Sequence, residues 1–363
     1  MNDSIDDPIE HLSGIAASDV DTGRLKTRLL TSGPHDGEPV YFLHGNLASS
    51  TYWEETMLAL PDQYRAIACD LRGYGLSERR SLVDATGGVG DWVDDVVSLA
   101  DTLGHDRFHV VAHSLGGCVA WGLLARTIQR IQTATLFAPG PPCGFGGAHG
   151  LTGHLNYADG AGSGAGLAQQ QLVTRLNAGE REIADEFFSP RAALNRLCWN
   201  PPFRPAREED LLTAMLQVHL GKDQFPGDWQ PSSNWPGFAP GVKGPVNALS
   251  PLYNQWVLRE LIEGTSKATP PLLWIYGDAD LIVCDRSLSD AGTQGQLGLR
   301  TDWPGEDIFP PQPLLQQVTH VLDEYEEAGG AVQRLILPDV GHTPYLECPA
   351  VVQSALLEHL SKR

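Results

Sequence analysis

The sequence predicts an α/β fold, a mostly parallel, doubly wound sheet covered on both faces by helices. Short apolar runs rich in β-branched and aromatic residues recur along the chain, and stretches of helical periodicity separate them. One junction, FHVVAHSLGGCVAWGLLA (108–125), passes directly from an apolar run to a helical pattern through a serine hemmed in by small residues.

The elements follow in order. RLKTRLLTS (24–32) and PVYFLHG (39–45) read as strands flanking GPHDG. Asp36-Gly37 is a hairpin-turn signal, so the chain is expected to open with paired strands. A helix near 52–60 precedes the strand YRAIACD (64–70), an amphipathic helix around DWVDDVVSLADTLG (91–104) and the strand RFHVVAH (107–113). Beyond the helix after Ser114 come TATLFAP (133–139), PPLLWIYG (270–277), a helix near 312–328, VQRLILPD (332–339) and a terminal helix AVVQSALLEHL (350–360).

The alternation fails twice. From about 140 to 265 a glycine-rich piece, GGAHGLTGHLNYADGAGSGAG, leads into helical segments such as GLAQQQLVTRLNAG, PRAALNRLCW and EEDLLTAMLQVHLG. This is expected to be a helical insertion over one end of the sheet. GAGSGAG (160–166) has no strand before it and no lysine after it, so it reads as a flexible lid hinge rather than a phosphate loop. The second failure, 285–311, is a long connection with little periodicity, usually functional or mobile at such length.

Composition excludes several classes. Lys plus Arg is 25 against 45 for Asp plus Glu, a net charge of −20, which disfavours nucleic acid and anionic membrane surfaces as partners. The start, MNDSIDDPIEHLSGIAAS, lacks a basic then apolar leader, and no apolar run reaches the ~18 residues of a membrane span. A cytoplasmic, unexported chain is expected. The six cysteines show no C-x-x-C pair or metal-ligand spacing and read as small buried hydrophobes, so no metal site is expected.

A strand that turns abruptly into a helix forces its corner residue into a sparsely populated conformation, and the residues two before and two after must be small. Ala112 and Gly116 meet that demand around Ser114. The backbone N–H of Leu115, at the helix start, would supply half an oxyanion hole. A serine hydroxyl needs a base and an orienting carboxylate. His342, in ILPDVGHTPYLECP after the last strand, is the expected base. LLWIYGDADLIV places Asp278, Asp280 and Asp285 after a strand end; Asp280 is the expected acid, with Asp278 second.

These pieces resemble the α/β-hydrolase fold superfamily: HGN (44–46), DLRGYGLS (70–77), AHSLGG, GDAD and GHTPYLECP stand in its chain order of nucleophile, acid and histidine. Ala112 replaces the first glycine of G-x-S-x-G. The resemblance implies an eight-stranded sheet formed by 1–140 and 266–363, with a mainly helical cap (141–265) inserted after strand 6. It also implies Asn46 N–H as the second oxyanion donor and a Ser114-His342-Asp280 triad working through an acyl-enzyme without metal or organic cofactor.

His44 and His113 read as structural, His109 as a core residue, and Asp70 and Arg72 as fixing their own turn. Phe145, Leu151, Tyr157, Phe187, Phe188, Leu197, Trp199, Met215, Trp229, Trp235 and Phe238 are available to line an apolar pocket or form the cap's own core. Phe145, Trp199, Met215 and Trp235 are the leading substrate contacts. The expected partner is a hydrophobic small-molecule ester or lactone. Alternatives are carbon–carbon bond hydrolysis, acyl transfer or perhydrolysis on the same frame, or a non-catalytic ligand-binding receptor or interaction protein on a hydrolase scaffold. Serine at the elbow argues against dehalogenases and epoxide hydrolases.

Overall fold

The computed structural model describes residues 7–264 and 269–362. The boundary expected at 265/266 and the first six residues lie outside them. One sheet contains β1 (Ala16–Asp21), β2 (Lys26–Ser32), β3 (Glu38–Leu43), β4 (Tyr64–Cys69), β5 (Phe108–His113), β6 (Ile131–Phe137), β7 (Leu272–Gly277) and β8 (Val332–Leu337). Their spatial order is β1-β2-β4-β3-β5-β6-β7-β8. β2 pairs antiparallel with β1 and β4, and every pairing from β4 to β8 is parallel. Parallel neighbours need long crossovers, which helices Gly90–Leu103, Leu115–Thr127, Pro251–Gly264 and Leu314–Glu327 help to provide.

The opening hairpin is not the one expected. Segments 24–32 and 39–45 do not pair, because β4 lies between β2 and β3. The hairpin joins β1 to β2 instead, through Gly23 at φ 78°, with Asp21 Oδ1 accepting the Gly23 N–H at 2.8 Å. Gly37 is needed for close approach: a Cβ there would lie 2.8 Å from backbone N of Arg65.

The central strands are largely apolar because helices cover both faces, the exceptions being buried His and Thr residues of β5 and β6. Val40, Tyr41, Phe42 and Leu43 of β3 and Leu272 to Ile275 of β7 are buried, backed by Trp53, Trp92 and Trp121. Arg72 reaches out of its turn to grip Asp95 of helix Gly90–Leu103 through two hydrogen bonds of 2.8 and 2.6 Å. All six cysteines are unbonded; burial pushes the Cys69, Cys118 and Cys143 thiols up to about 12. Among the described residues no helix is long and apolar enough to cross a membrane.

Helices Gln170–Asn177, Pro190–Leu197 and Glu208–Leu216 of the insertion stand over the carboxyl edge of the sheet, where their residues share a cavity with the strand ends. Two short two-stranded ribbons, Ala148–His149 with His154–Leu155 and Trp229–Pro231 with Phe238–Pro240, accompany them. Helix Pro251–Gly264, counted with the cap from sequence, packs beside helix Leu115–Thr127: the Arg126 guanidinium lies 3.6 Å from the centre of the Trp256 ring. The GAGSGAG run is packed rather than hinge-like. A Cβ on Gly166 would stand 2.2 Å from the Phe238 ring, and Ser163 Oγ hydrogen-bonds Ser250 Oγ at 2.6 Å. The 285–311 connection folds onto this region, its Ala291 and Phe309 forming a small cluster with Leu167 and Phe238.

Four buried imidazoles set an acid limit on stability. Burial holds His219 and His359 at about 4, and lowers His44 and His113. The unfolded chain protonates near 6.5 while the folded groups stay neutral, so their stabilising contribution is present above pH 6.5 and lost as pH falls towards 4. For His219 and His359 the contribution is roughly 3 kcal/mol at most. Asp290, raised by burial to about 6, works against this slope. His11, raised to about 9 by hydrogen bonds to Asp7 and Glu54, adds stability that disappears as pH rises through 9. Urea titrations are therefore expected to show stability falling between pH 6.5 and 4, less steeply in His359→Gln; a flat profile would contradict the burial of neutral imidazoles.

Candidate active site

Parallel strands bring their carboxyl ends to one edge, and β3, β5, β7 and β8 each release a loop there carrying one expected residue. Ser114 follows β5 at φ 54°, ψ −114°, and helix Leu115–Thr127 begins at once. Its side chain makes no capping bond to that helix, so the hydroxyl is not spent as an N-cap. The corner is locked by backbone: Ser114 N–H donates to Phe137 O at 3.0 Å, and Ser114 O accepts from Cys118 N–H at 3.1 Å.

Small residues around the corner answer to distances. A Cβ on Gly116 would lie 2.3 Å from Leu43 O and 2.7 Å from His44 O; on Gly45 it would lie 2.8 Å from His113 Nδ1. Ala112 is fully buried, with room for a methyl group at the first motif glycine. Gly116→Ala is expected to cost about 1–3 kcal/mol or more, since the neighbouring atoms are backbone and cannot swing away. Urea midpoints check this, and an unchanged midpoint would contradict the packing described.

His342 and Asp280 are brought together. His342 Nδ1 donates to Asp280 Oδ2 at 2.7 Å, which leaves the lone pair on Nε2, an atom with no hydrogen-bond partner among the described residues. Both side chains are buried. Asp280 Oδ1 accepts the Ile282 and Val283 N–H groups at 2.7 and 3.2 Å, fixing the carboxylate. The two other acids serve elsewhere. Asp278 Oδ1 accepts the Asp339 N–H, and Asp285 accepts the Leu315 and Gln316 N–H groups at the start of helix Leu314–Glu327.

The histidine loop is held from several sides. His113 Nε2 donates to His342 O at 2.9 Å, and Tyr345 OH donates to His113 Nδ1 at 3.3 Å. Burial, with help from the nearby His342, holds His113 neutral, as this pattern requires. Glu347 accepts Gly341 N–H through Oε1 and Asn200 N–H through Oε2, tying the loop to the insertion. His109 bonds Thr133 Oγ1 within the sheet at 2.8 Å. Sequence reading did not single out Glu347 or Tyr345, although both lie in the quoted GHTPYLECP.

At the end of β3, His44 donates Nδ1–H to Gly45 O at 2.8 Å and accepts the Leu71 N–H on Nε2 at 2.9 Å, joining the two turns. Asp70 accepts from Ser50 N–H and Leu76 N–H, at 2.8 and 2.7 Å. Asn46 Oδ1 accepts Tyr74 OH at 2.7 Å. The Asn46 and Leu115 N–H groups donate to no protein acceptor among the described residues, which leaves both available to a ligand.

A cavity of about 350 Å³ opens over these groups and is lined by Asn46, Ser114, Leu115 and His342 from the sheet side. From above come Phe145, Leu172, Phe187, Phe188, Leu194, Arg196, Leu197 and Met215. Two expected contacts are absent from the lining. Trp199 is buried against Phe203, and Trp235 packs on Phe309 with its Nε1–H donated to Thr301 O. Leu151, Tyr157, Trp229 and Phe238 also lie outside it. No group of three or more His, Cys, Asp or Glu among the described residues is placed to hold a metal ion.

The sequence profile described as "alpha/beta hydrolase fold" matches residues 38–292, and the chain belongs to that family. Among similar proteins, "Uncharacterized carboxylesterase nap" of Bacillus subtilis (strain 168) is 30% identical over 115 residues, 31% of this chain and 37% of that protein. "2-hydroxymuconate semialdehyde hydrolase" of Pseudomonas sp. (strain CF600) is 33% identical over 115 residues, 31% of this chain and 39% of that protein. The matches thus span less than half the length of these relatives. The crystal structure of carboxylesterase CesB (YbfK) from Bacillus subtilis superimposes with a TM-score of 0.55 at 17% identity, covering 98% of this chain and 93% of that one. A putative aryl esterase from Burkholderia cenocepacia gives 0.54 at 19%, covering 95% and 98%. At such identities these likenesses speak for the fold.

Proposed function

We propose that this protein is a serine hydrolase that cleaves a carboxylic ester or lactone with a hydrophobic acyl or aryl part. One observation carries the reading: Ser114 sits at a strained corner with its hydroxyl uncapped, in the same cavity as an imidazole whose Nδ1 is bound to a buried carboxylate. Carboxylesterases among the similar proteins agree with it.

Ser114 Oγ attacks the ester carbonyl carbon while His342 Nε2 takes its proton, and Asp280 stabilises the imidazolium that forms. The oxyanion is received by the Asn46 and Leu115 N–H groups, where loss of one donor typically costs about 10² to 10³ in turnover. Collapse of the tetrahedral intermediate breaks the bond to the alkoxy oxygen, which takes the proton from His342. The acyl group stays on Ser114 until water, deprotonated by the same imidazole, releases it as the acid. The apolar ceiling of the cavity selects hydrophobic acyl or aryl groups, and the segment above the sheet acts as a cap.

A panel of aryl and alkyl esters and lactones tests this directly. Hydrolysis of at least one aryl or medium-chain ester, lost in Ser114→Ala, is the expected result; a folded protein that hydrolyses none would overturn the proposal.

A further inference from the structure

We infer that the cavity is built for substrates bearing an anionic group, a carboxylate above all, at the end of an apolar acyl or alcohol chain, and that Arg196 recognises that group. The inference depends on the ester-hydrolase reading only for what happens at Ser114.

Arg196 closes helix Pro190–Leu197 and lines the cavity. It is the one arginine, lysine, aspartate or glutamate in that lining, in a chain of net charge −20. Other arginines of the insertion are paired: Arg175 with Glu180 at 2.7 Å, Arg191 with Glu208 at 2.8 Å, Arg207 with Glu54 at 2.8 Å. Arg196 has no such partner among the described residues. Its Nη1 and Nη2 reach the carbonyl oxygens of Glu186 and Phe187, at 3.4 and 3.2 Å, its guanidinium carbon lies 5.0 Å from the centre of the Phe187 ring, and its Nε is buried with no hydrogen-bond partner. Asp185, close enough to feel its charge, already accepts the Phe187 and Phe188 N–H groups on Oδ1 at 2.7 and 2.8 Å.

Two long bonds to carbonyl oxygens leave N–H groups of this cation to spare, and a ligand anion is the acceptor the cavity lining lacks. The terminal Nη1 and Nη2 present their N–H groups in one plane, the fork that takes a carboxylate through two parallel bonds. Neutral esters leave that fork empty. Phe145, Leu172, Leu194 and Met215 line the same cavity and suit an apolar spacer between ester and anion. The matched ligand is a half-ester of a dicarboxylic acid, or an ester of a hydroxy acid with a free carboxylate.

Two esters of equal chain length make the test: the mono-4-nitrophenyl ester of adipic acid and 4-nitrophenyl hexanoate. The wild type is expected to favour the anionic ester at least tenfold in kcat/KM. That ratio should fall about ten- to a hundredfold in Arg196→Gln and less in Arg196→Lys. An absent preference in the wild type, or a ratio unmoved by Arg196→Gln, would overturn the inference. Binding is read separately by titrating monomethyl adipate, an anion, against neutral methyl hexanoate into Ser114→Ala and following Tm. A rise with monomethyl adipate that Arg196→Gln removes supports anion recognition even if neither nitrophenyl ester is cleaved; equal responses to the anionic and the neutral ester overturn it even if both are.

Discussion

Replacing Ser114 with alanine is expected to lower kcat/KM for any ester substrate by about five to six orders of magnitude while leaving the fold intact. Loss of a nucleophile in a serine-dependent triad costs about that much, because the residual activity comes only from binding and the oxyanion donors. The substitution is clean. Alanine keeps a Cβ and so keeps the strained corner at φ 54°, ψ −114°, and the side chain makes no capping bond that alanine would remove. Ser114→Gly separates strain from chemistry: with no Cβ, glycine relieves a corner that costs about 1–3 kcal/mol. It is expected to be equally inactive and more stable. Steady-state kinetics and urea midpoints read both effects, and Ser114→Ala retaining more than about 1% of activity would remove Ser114 from the mechanism.

Asp280→Asn is expected to lower kcat by about 10⁴-fold. The Ile282 and Val283 N–H groups hold Oδ1, so the carboxamide must keep its oxygen there and turn its NH₂ towards His342 Nδ1. Nδ1 must then accept, which moves the ring proton to Nε2, where the base needs a lone pair. The geometry survives and the tautomer is wrong. Asp278→Asn and Asp285→Asn serve as comparisons, since these carboxylates bind the Asp339 N–H and the start of helix Leu314–Glu327. A larger loss from either than from Asp280→Asn would reassign the acid.

Legibility in the sequence followed the range of the constraint. The corner at Ser114 is set by contacts a few residues away, so Ala112 and Gly116 announce it. The apolar runs of β3 to β7 announce themselves because both faces are covered. β1 was invisible because it is an exposed edge strand, AASDVD, with no apolar alternation. The hairpin reading failed because strand order is decided by long-range pairing: the Asp36-Gly37 signal was real as a chain reversal, but β4 claims the place beside β2. Aromatic composition marked the region above the sheet without telling lining from packing. Phe145 and Met215 face the cavity, whereas Trp199 is buried against Phe203 and the half-buried Trp235 packs on Phe309. Arg196 gave no signal, since an arginine in the last turn of a polar helix reads as a surface residue until its missing partner is seen.

The most direct test of the account is peptide mapping by mass spectrometry after treatment with an alkyl fluorophosphonate, which reacts only with a hydroxyl activated by a base and an oxyanion site. A single phosphonyl adduct on Ser114, absent in His342→Ala, is the predicted result. An unmodified Ser114 in folded wild-type protein, or an adduct on another residue accompanied by loss of activity, would contradict it.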